Sequence, residues 1–260
     1  MDKDITPEGA ITLYYFGFFF AVAAAMKFTN LLTTKDNRTE RWSFVFLSPV
    51  LTMKAWRNRR ELNRPQRISA LIRLTILGVL LFVYFTELLP RVPAAIQEHA
   101  LWPYWCLIPF GMFVEFAGAY TEIVLLPFKI LLPPINNSPW LSRSLSEFWG
   151  KRWNRAFGNW FFASCFMPFH RKPNFASALS CFVSGIIHEI TISVPFWLVY
   201  ESSVFGMFML YFFIQYSCIA IERRFMRNSR WARAFTWLTI VGPIPLVLNE
   251  GTLRAFHLIN

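Results

Sequence analysis

Charge is what this chain has least of. Only 16% of its 260 residues are Asp, Glu, Lys or Arg, and the acidic residues number 15 against 26 basic ones. A soluble domain carries about 25% charged residues and stays near 45–50% apolar. Here hydrophobic residues reach 55%, an excess that needs an apolar solvent around it. Cysteine is scarce as well. The four thiols, Cys106, Cys165, Cys181 and Cys218, fall in or beside apolar runs without metal-ligand spacing. They predict neither a zinc site nor a disulfide framework. The chain also lacks His-Glu-x-x-His, a glycine-rich phosphate loop and Gly-x-Ser-x-Gly. Metalloenzyme, nucleotide-loop and serine-triad chemistry are therefore without their signatures. No internal repeat or low-complexity linker divides the sequence, so a single membrane domain over residues 1–260 is the simplest account.

What is abundant is long apolar runs, rich in the 29 Phe and 11 Trp. Six of them, at about 11–28, 70–90, 103–126, 176–200, 204–222 and 235–256, are each roughly 18–25 residues long. That is enough to cross a hydrocarbon core of about 30 Å at 1.5 Å per residue. The expected fold is all-α: a polytopic transmembrane bundle of about six spans. The first run is too long, and too poor in basic residues at its front, for a cleaved signal peptide.

The net charge of +11 invites a nucleic-acid reading, but its distribution opposes one. All Lys and Arg except Lys3, Arg91 and Arg254 lie in three blocks, Lys27–Arg73, Lys129–Lys172 and Arg223–Arg233. Six spans put those blocks on one side, which the positive-inside rule makes cytosolic. Both termini, including the acidic start at Asp2, Asp4 and Glu8, then face the opposite side.

Between the first two spans, 30–67 reads as a cytosolic loop, part surface helix and part irregular, with Trp42, Phe44, Phe46 and Trp56 among its charges. Pro133, Pro134 and Pro139 end the third span and open a turn. Ser144-Leu-Ser-Glu147 is a capping-box pattern that starts a helix. That helix, Leu145 to about Phe162, mixes Phe148, Trp149, Trp153, Phe157, Trp160 and Phe161 with Lys151, Arg152 and Arg155. The composition predicts an amphipathic helix lying in the membrane interface. Gly150, Asn154 and Gly158, at i, i+4 and i+8, form a narrow stripe suited to close helix contact around one polar group. A plain amphipathic anchor is the competing reading.

His188 carries the most information. It stands near the middle of the fourth span, where ionisable groups are costly and tend to face a polar cavity or a partner. Its helical neighbours point to a cavity-facing stripe: Ser184 and Gly185 lie one turn before it, Thr191 and Ile192 one turn after. Apolar surroundings disfavour the imidazolium, leaving a neutral ring able to accept a proton from an alcohol. The alternative is a histidine that only bridges two helices. Glu189 projects about 100° away and is expected to pair with a neighbouring helix. Glu115 and Glu122 share one face of the third span, as interhelical or supporting hydrogen bonds. Gln215 lines a polar cavity or bonds to a neighbour. His99, His170 and His257 fall near span ends.

Two segments combine: Ser144-Leu-Ser-Glu-Phe-Trp-Gly-Lys-Arg-Trp-Asn154 and, about thirty residues later, Phe182-Val-Ser-Gly-Ile-Ile-His-Glu189. This pairing resembles the membrane-bound O-acyltransferase superfamily, closest to its wax synthase-like branch. The match concentrates in residues 140–195; elsewhere the agreement is in hydropathy. Members commonly have eight or more spans, against six here. The resemblance implies that His188 and Asn154 are the active-site pair, with Trp149, Trp153, Arg152, Ser184, Glu189 and Gln215 around them. It also implies acyl-CoA as co-substrate with no bound cofactor, a fatty alcohol, sterol or hydroxylated terpenoid as acceptor, and the endoplasmic reticulum membrane as location. His188 would take the alcohol's proton as it attacks the thioester, while Asn154 holds a reacting group. Lys151, Arg152 and Arg155 match CoA phosphates in charge. An isoprenoid cyclase or isomerase using the same histidine, or a non-catalytic relative, are the alternatives; dependence on acyl-CoA separates the first reading from both.

Overall fold

The computed structural model describes residues 6–34, 38–48, 51–61, 64–226 and 229–259. Asp2 and Asp4 of the acidic start lie outside the described residues. Helix α1 (Pro7–Thr33) begins where Thr6 Oγ1 accepts the Gly9 N–H at 3.2 Å and Pro7 takes the first turn, where no donor is needed. Two short helices follow, α2 (Arg38–Leu47) and α3 (Met53–Arg57). They divide the loop's aromatics: Phe44 and Trp56 are buried with Leu125 and Leu132, while Trp42 and Phe46 are exposed and stacked on each other. The only strands among the described residues, β1 (Arg60–Glu61) and β2 (Ile130–Leu131), pair antiparallel and tie this layer to the end of the third long helix.

The chain then runs through α4 (Arg64–Val83), α5 (Ala94–Gln97), α6 (Trp102–Val124), α7 (Leu145–Glu147) and α8 (Arg155–Phe161). After these come α9 (Pro173–His188), α10 (Val194–Tyr200), α11 (Met207–Ile221), α12 (Ala232–Val241) and α13 (Glu250–Ala255). Among the described residues, four helical stretches are long and apolar enough to cross a membrane: Pro7–Thr33, Pro65–Arg91, Trp102–Val124 and Pro173–Tyr200. They coincide with the first four expected spans. Two of them contain π turns, Tyr84–Leu88 and Glu189–Ser193, and a third π turn, Phe162–Phe166, follows α8. Each ends two residues before a proline (Pro90, Pro195, Pro168). A helical proline lacks its N–H and crowds the carbonyl four residues back. The widened turn relieves that crowding; after Ser193 the helix runs on into α10, whereas at Pro90 and Pro168 it closes in a 3-10 turn.

The last two expected spans differ from simple crossings. Helix α11 has 15 residues, about 22 Å at 1.5 Å each, and continues only as a π turn carrying Glu222, Arg223 and Arg224. The sixth, expected over 235–256, is broken. Helix α12 stops at Val241, a 3-10 turn spans Ile244–Leu246, and α13 starts after Asn249, whose Oδ1 accepts the Thr252 N–H at 3.1 Å. Pro243 and Pro245 remove the donors that a continuous ladder needs. Irregular backbone at membrane depth is tolerated where protein covers it. Here Ile244, Leu248, Leu253 and Leu258 are buried against Trp102 and Cys106, and the Trp102 indole donates to the Leu258 carbonyl at 3.0 Å. The first turns of α1 also reach this corner, with Thr12 Oγ1 2.9 Å from His257 Nε2. The chain's two described ends therefore meet at one end of the bundle.

The expected helix from Leu145 to Phe162 is not continuous. Helix α7 passes into a π turn (Phe148–Arg152), Trp153 is extended, and Asn154 adopts the left-handed conformation (φ 37, ψ 59) before α8 begins. Gly150, Asn154 and Gly158 therefore do not form a helical stripe. The capping box is half realised: Ser144 Oγ accepts the Glu147 N–H at 3.0 Å, but the Glu147 carboxylate takes the Arg143 N–H at 2.8 Å rather than that of Ser144.

Candidate active site

His188 is the last residue of α9. Its Nδ1 lies 2.8 Å from the Ser184 carbonyl oxygen. A carbonyl only accepts, so Nδ1 carries the proton and a neutral ring presents a bare lone pair at Nε2. Among the described residues Nε2 makes no hydrogen bond. The ring is flanked by Phe208 and Phe212 of α11, with centroids at 5.4 and 5.0 Å. Ser184 thus serves the site through its backbone. Gly185, expected beside it on a cavity-facing stripe, instead meets α11: a Cβ there would stand 2.6 Å from Met209 Sδ and 3.3 Å from Met209 Cα. The missing side chain is what lets the helices approach until the two phenylalanines reach the imidazole.

Two carboxylates hold the site's pieces to opposite ends of α11. Glu189 Oε1 accepts the N–H groups of Gly206, Phe208 and Met209 at 3.0–3.2 Å, and its Oε2 accepts from Ser193 Oγ. Those amides are the unpaired donors of the helix start, and a negative charge is favoured there. At the other end Glu222, which is buried, accepts the N–H groups of Leu145 and Ser146, tying the start of α7 to α11. Between them sits Gln215, fully buried, accepting from Trp149 Nε1 at 3.1 Å and donating to the Thr239 carbonyl at 2.7 Å. The Trp149 ring lies 5.9 Å from Phe212. A continuous line of contacts thus runs from His188 through Phe212 to Trp149 and Gln215.

The remaining expected residues have defined partners. Trp153 stacks on Phe148 at 5.6 Å. Arg152 pairs with Glu147 (Nε to Oε1, 2.7 Å) and donates to the carbonyls of Asn137 and Ser138. Arg155 donates to the Pro134 carbonyl at 3.4 Å, whereas Lys151 is exposed and has no ion pair among the described residues. Asn154 caps α8, its Oδ1 accepting the Phe157 N–H at a long 3.5 Å. No hydrogen bond joins Asn154 to His188 among the described residues. Glu122 forms an ion pair with Arg73, and Glu115 lines a separate groove of about 800 Å³ between α4 and α6 with Ile68, Ile72 and Ile76.

No family model matches the chain. Individual relatives do. It is 28% identical over 196 residues to a probable long-chain-alcohol O-fatty-acyltransferase 8 of Arabidopsis thaliana, covering 70% of this chain and 54% of that protein. It is 30% identical over 130 residues to a probable long-chain-alcohol O-fatty-acyltransferase 1 of the same plant, covering 46% and 36%. A diacylglycerol O-acyltransferase 1 of Dictyostelium discoideum is 30% identical over 112 residues, covering 42% and 17%. These similarities are to proteins named as O-acyltransferases, the plant ones as long-chain-alcohol O-fatty-acyltransferases. It spans about half the length of the curated relatives it matches.

The sequence pattern drew attention to His188, Trp149, Asn154 and Gln215 but passed over Glu222 and the two phenylalanines. Glu222 sits at the end of an apolar run directly before Arg223 and Arg224, where it reads as a solvated flanking charge. Phe208 and Phe212 are four apart and so share a helix face, yet in a run this rich in aromatics no face stands out.

Proposed function

We propose that the chain is a membrane-embedded O-acyltransferase that moves an acyl group from acyl-CoA to the hydroxyl of a lipophilic alcohol. The observation that carries this reading is the bare Nε2 of His188, presented from an aromatic wall by the bond from Nδ1 to the Ser184 carbonyl. Nε2 takes the alcohol's proton while the alcohol oxygen attacks the thioester carbonyl carbon, giving a tetrahedral oxyanion. The oxyanion collapses, the C–S bond breaks, and the departing CoA thiolate recovers the proton from the imidazolium. The products are an ester and CoA, and the histidine returns to its starting form. Phe208 and Phe212 keep water from competing with the alcohol, and Asn154 offers its Nδ2, which makes no hydrogen bond among the described residues, to the reacting carbonyl oxygen. The relatives' names favour a long-chain alcohol as acceptor.

The basic face points toward the cytosol, where acyl-CoA is, with both termini lumenal in the endoplasmic reticulum membrane. Reporter tags at the two termini test that topology, and a cytosolic signal from either end contradicts it. For the activity, microsomes containing the chain are supplied with acyl-CoAs and lipophilic alcohols, and ester is measured by mass spectrometry. Ester that depends on both substrates and disappears in His188→Ala is the expected result. Conversion of an isoprenoid without acyl-CoA would instead favour a cyclase.

A further inference from the structure

Asn154 is the one candidate site residue whose backbone is strained, and the structure contains a device that holds it there. Segment 135–137 lies alongside 152–155. The Asn137 N–H donates to the Arg152 carbonyl at 2.8 Å, and the Arg155 N–H donates to the Ile135 carbonyl at 2.7 Å. Between these two bonds the Asn154 N–H has no backbone acceptor; it donates to Asn136 Oδ1 at 2.9 Å. A side-chain oxygen thus completes a three-rung ladder at the point where the chain turns left-handed (Asn154 φ 37). The same amide carries a penalty: Asn136 Nδ2 is buried with no hydrogen-bond partner among the described residues. A buried unpaired donor is destabilising, and an apolar side chain of the same shape would avoid that cost. What offsets it is the oxygen.

We propose that Asn136 is a positioning residue for the acyl-transfer site: by holding the Asn154 N–H it fixes the left-handed turn that aims the Asn154 carboxamide. This rests on the acyl-transfer reading, in which Asn154 Nδ2 serves the reacting carbonyl. With the acceptor removed, the rungs from Asn137 and Arg155 still hold the chain locally, so the fold persists while the carboxamide's direction is lost. Misplacement of about 1 Å at a reacting centre reduces rate up to about 100-fold.

The test uses the full chain in lipid nanodiscs, with turnover measured against acyl-CoA concentration. Asn136→Leu, matched in shape but with no acceptor, should lower kcat about 10- to 100-fold with KM for acyl-CoA within about threefold and a melting temperature near the parent's. Asn136→Asp keeps the acceptor and should restore most of that kcat, which a merely space-filling role would not produce. If Asn136→Leu fails to accumulate, Asn136→Ser, too short to reach the Asn154 N–H, replaces it. A kcat for Asn136→Leu within about threefold of parent overturns the proposal, as does an Asn136→Asp variant as slow as Asn136→Leu. Asn154→Gly, run in parallel, separates the two layers. If it stays active, the role assigned to Asn154 fails; if it is inactive while Asn136→Leu is active, only the positioning role fails.

Discussion

Replacing Asn154 tests whether its side chain or only its backbone matters, and the structure dictates which replacement answers. Alanine does not. At φ 37 an L-residue other than Asn, Asp or Gly suffers a steric cost of about 1–2 kcal/mol, and losing the cap to the Phe157 N–H adds about 1 kcal/mol. Asn154→Ala would therefore lose stability and activity together. Glycine adopts a left-handed conformation freely and replaces a capping residue at a cost of only a few tenths of a kcal/mol. Asn154→Gly should keep the turn, the abundance and the melting temperature nearly intact. If the carboxamide stabilises the developing oxyanion, its loss should reduce turnover about 10²–10³-fold, equivalent to about 2.7–4 kcal/mol. The assay is ester formation at saturating acyl-CoA and alcohol, with thermal unfolding followed on the same preparation. Asn154→Gly turning over within about threefold of parent would refute the reasoning and reduce Asn154 to a turn-former.

Three further outcomes follow from the packing. Gly185→Ala should push α11 away through Met209, lowering turnover, and Met209→Ala in the same chain should recover part of it by removing the sulfur; no recovery would mean the helices are not in the contact described. Glu222→Ala leaves the N–H groups of Leu145 and Ser146 unpaired and should destabilise by about 1–3 kcal/mol, read as a lower melting temperature, with Glu222→Gln milder. The Glu147 carboxyl is held below the usual carboxylate range, first by the Arg143 N–H and also by Arg152. Its contribution is complete above the ordinary glutamate value of about 4.3 and is lost only as pH falls through the depressed one. Proteolysis near Lys151 should therefore be unchanged from pH 7 to 5 and rise in stronger acid, and Glu147→Gln should abolish that acid dependence.

Hydropathy made the first four long helices legible, because crossing a bilayer demands an unbroken apolar run whatever else the chain does. The same measure did not reveal the break within 235–256: apolar content persists across Pro243 and Pro245, while the helix does not. The π turns before Pro90, Pro168 and Pro195 accompany a local signal, the proline itself, but that signal alone does not fix them: Pro109 lies inside α6 without one. The break at Trp153-Asn154 has no such signal. Its local pattern is a good helix, and what overrides it is the pairing with 135–137, a contact about eighteen residues away that hydropathy and spacing do not encode. His188 was legible because an ionisable group in mid-span is conspicuous, whereas Glu222 and Asn136 act on backbone amides of distant segments and look ordinary in sequence.

The most direct test of the central claim follows both products at once. Purified chain in nanodiscs receives a long-chain acyl-CoA and a long-chain primary alcohol, and free CoA thiol and ester are quantified over the same interval. The account predicts equal amounts of each, both dependent on the alcohol, and both reduced about 10²–10⁴-fold in His188→Ala with protein abundance unchanged. Thiol and ester produced by His188→Ala at the parent's rate, or thiol released without ester, would contradict it.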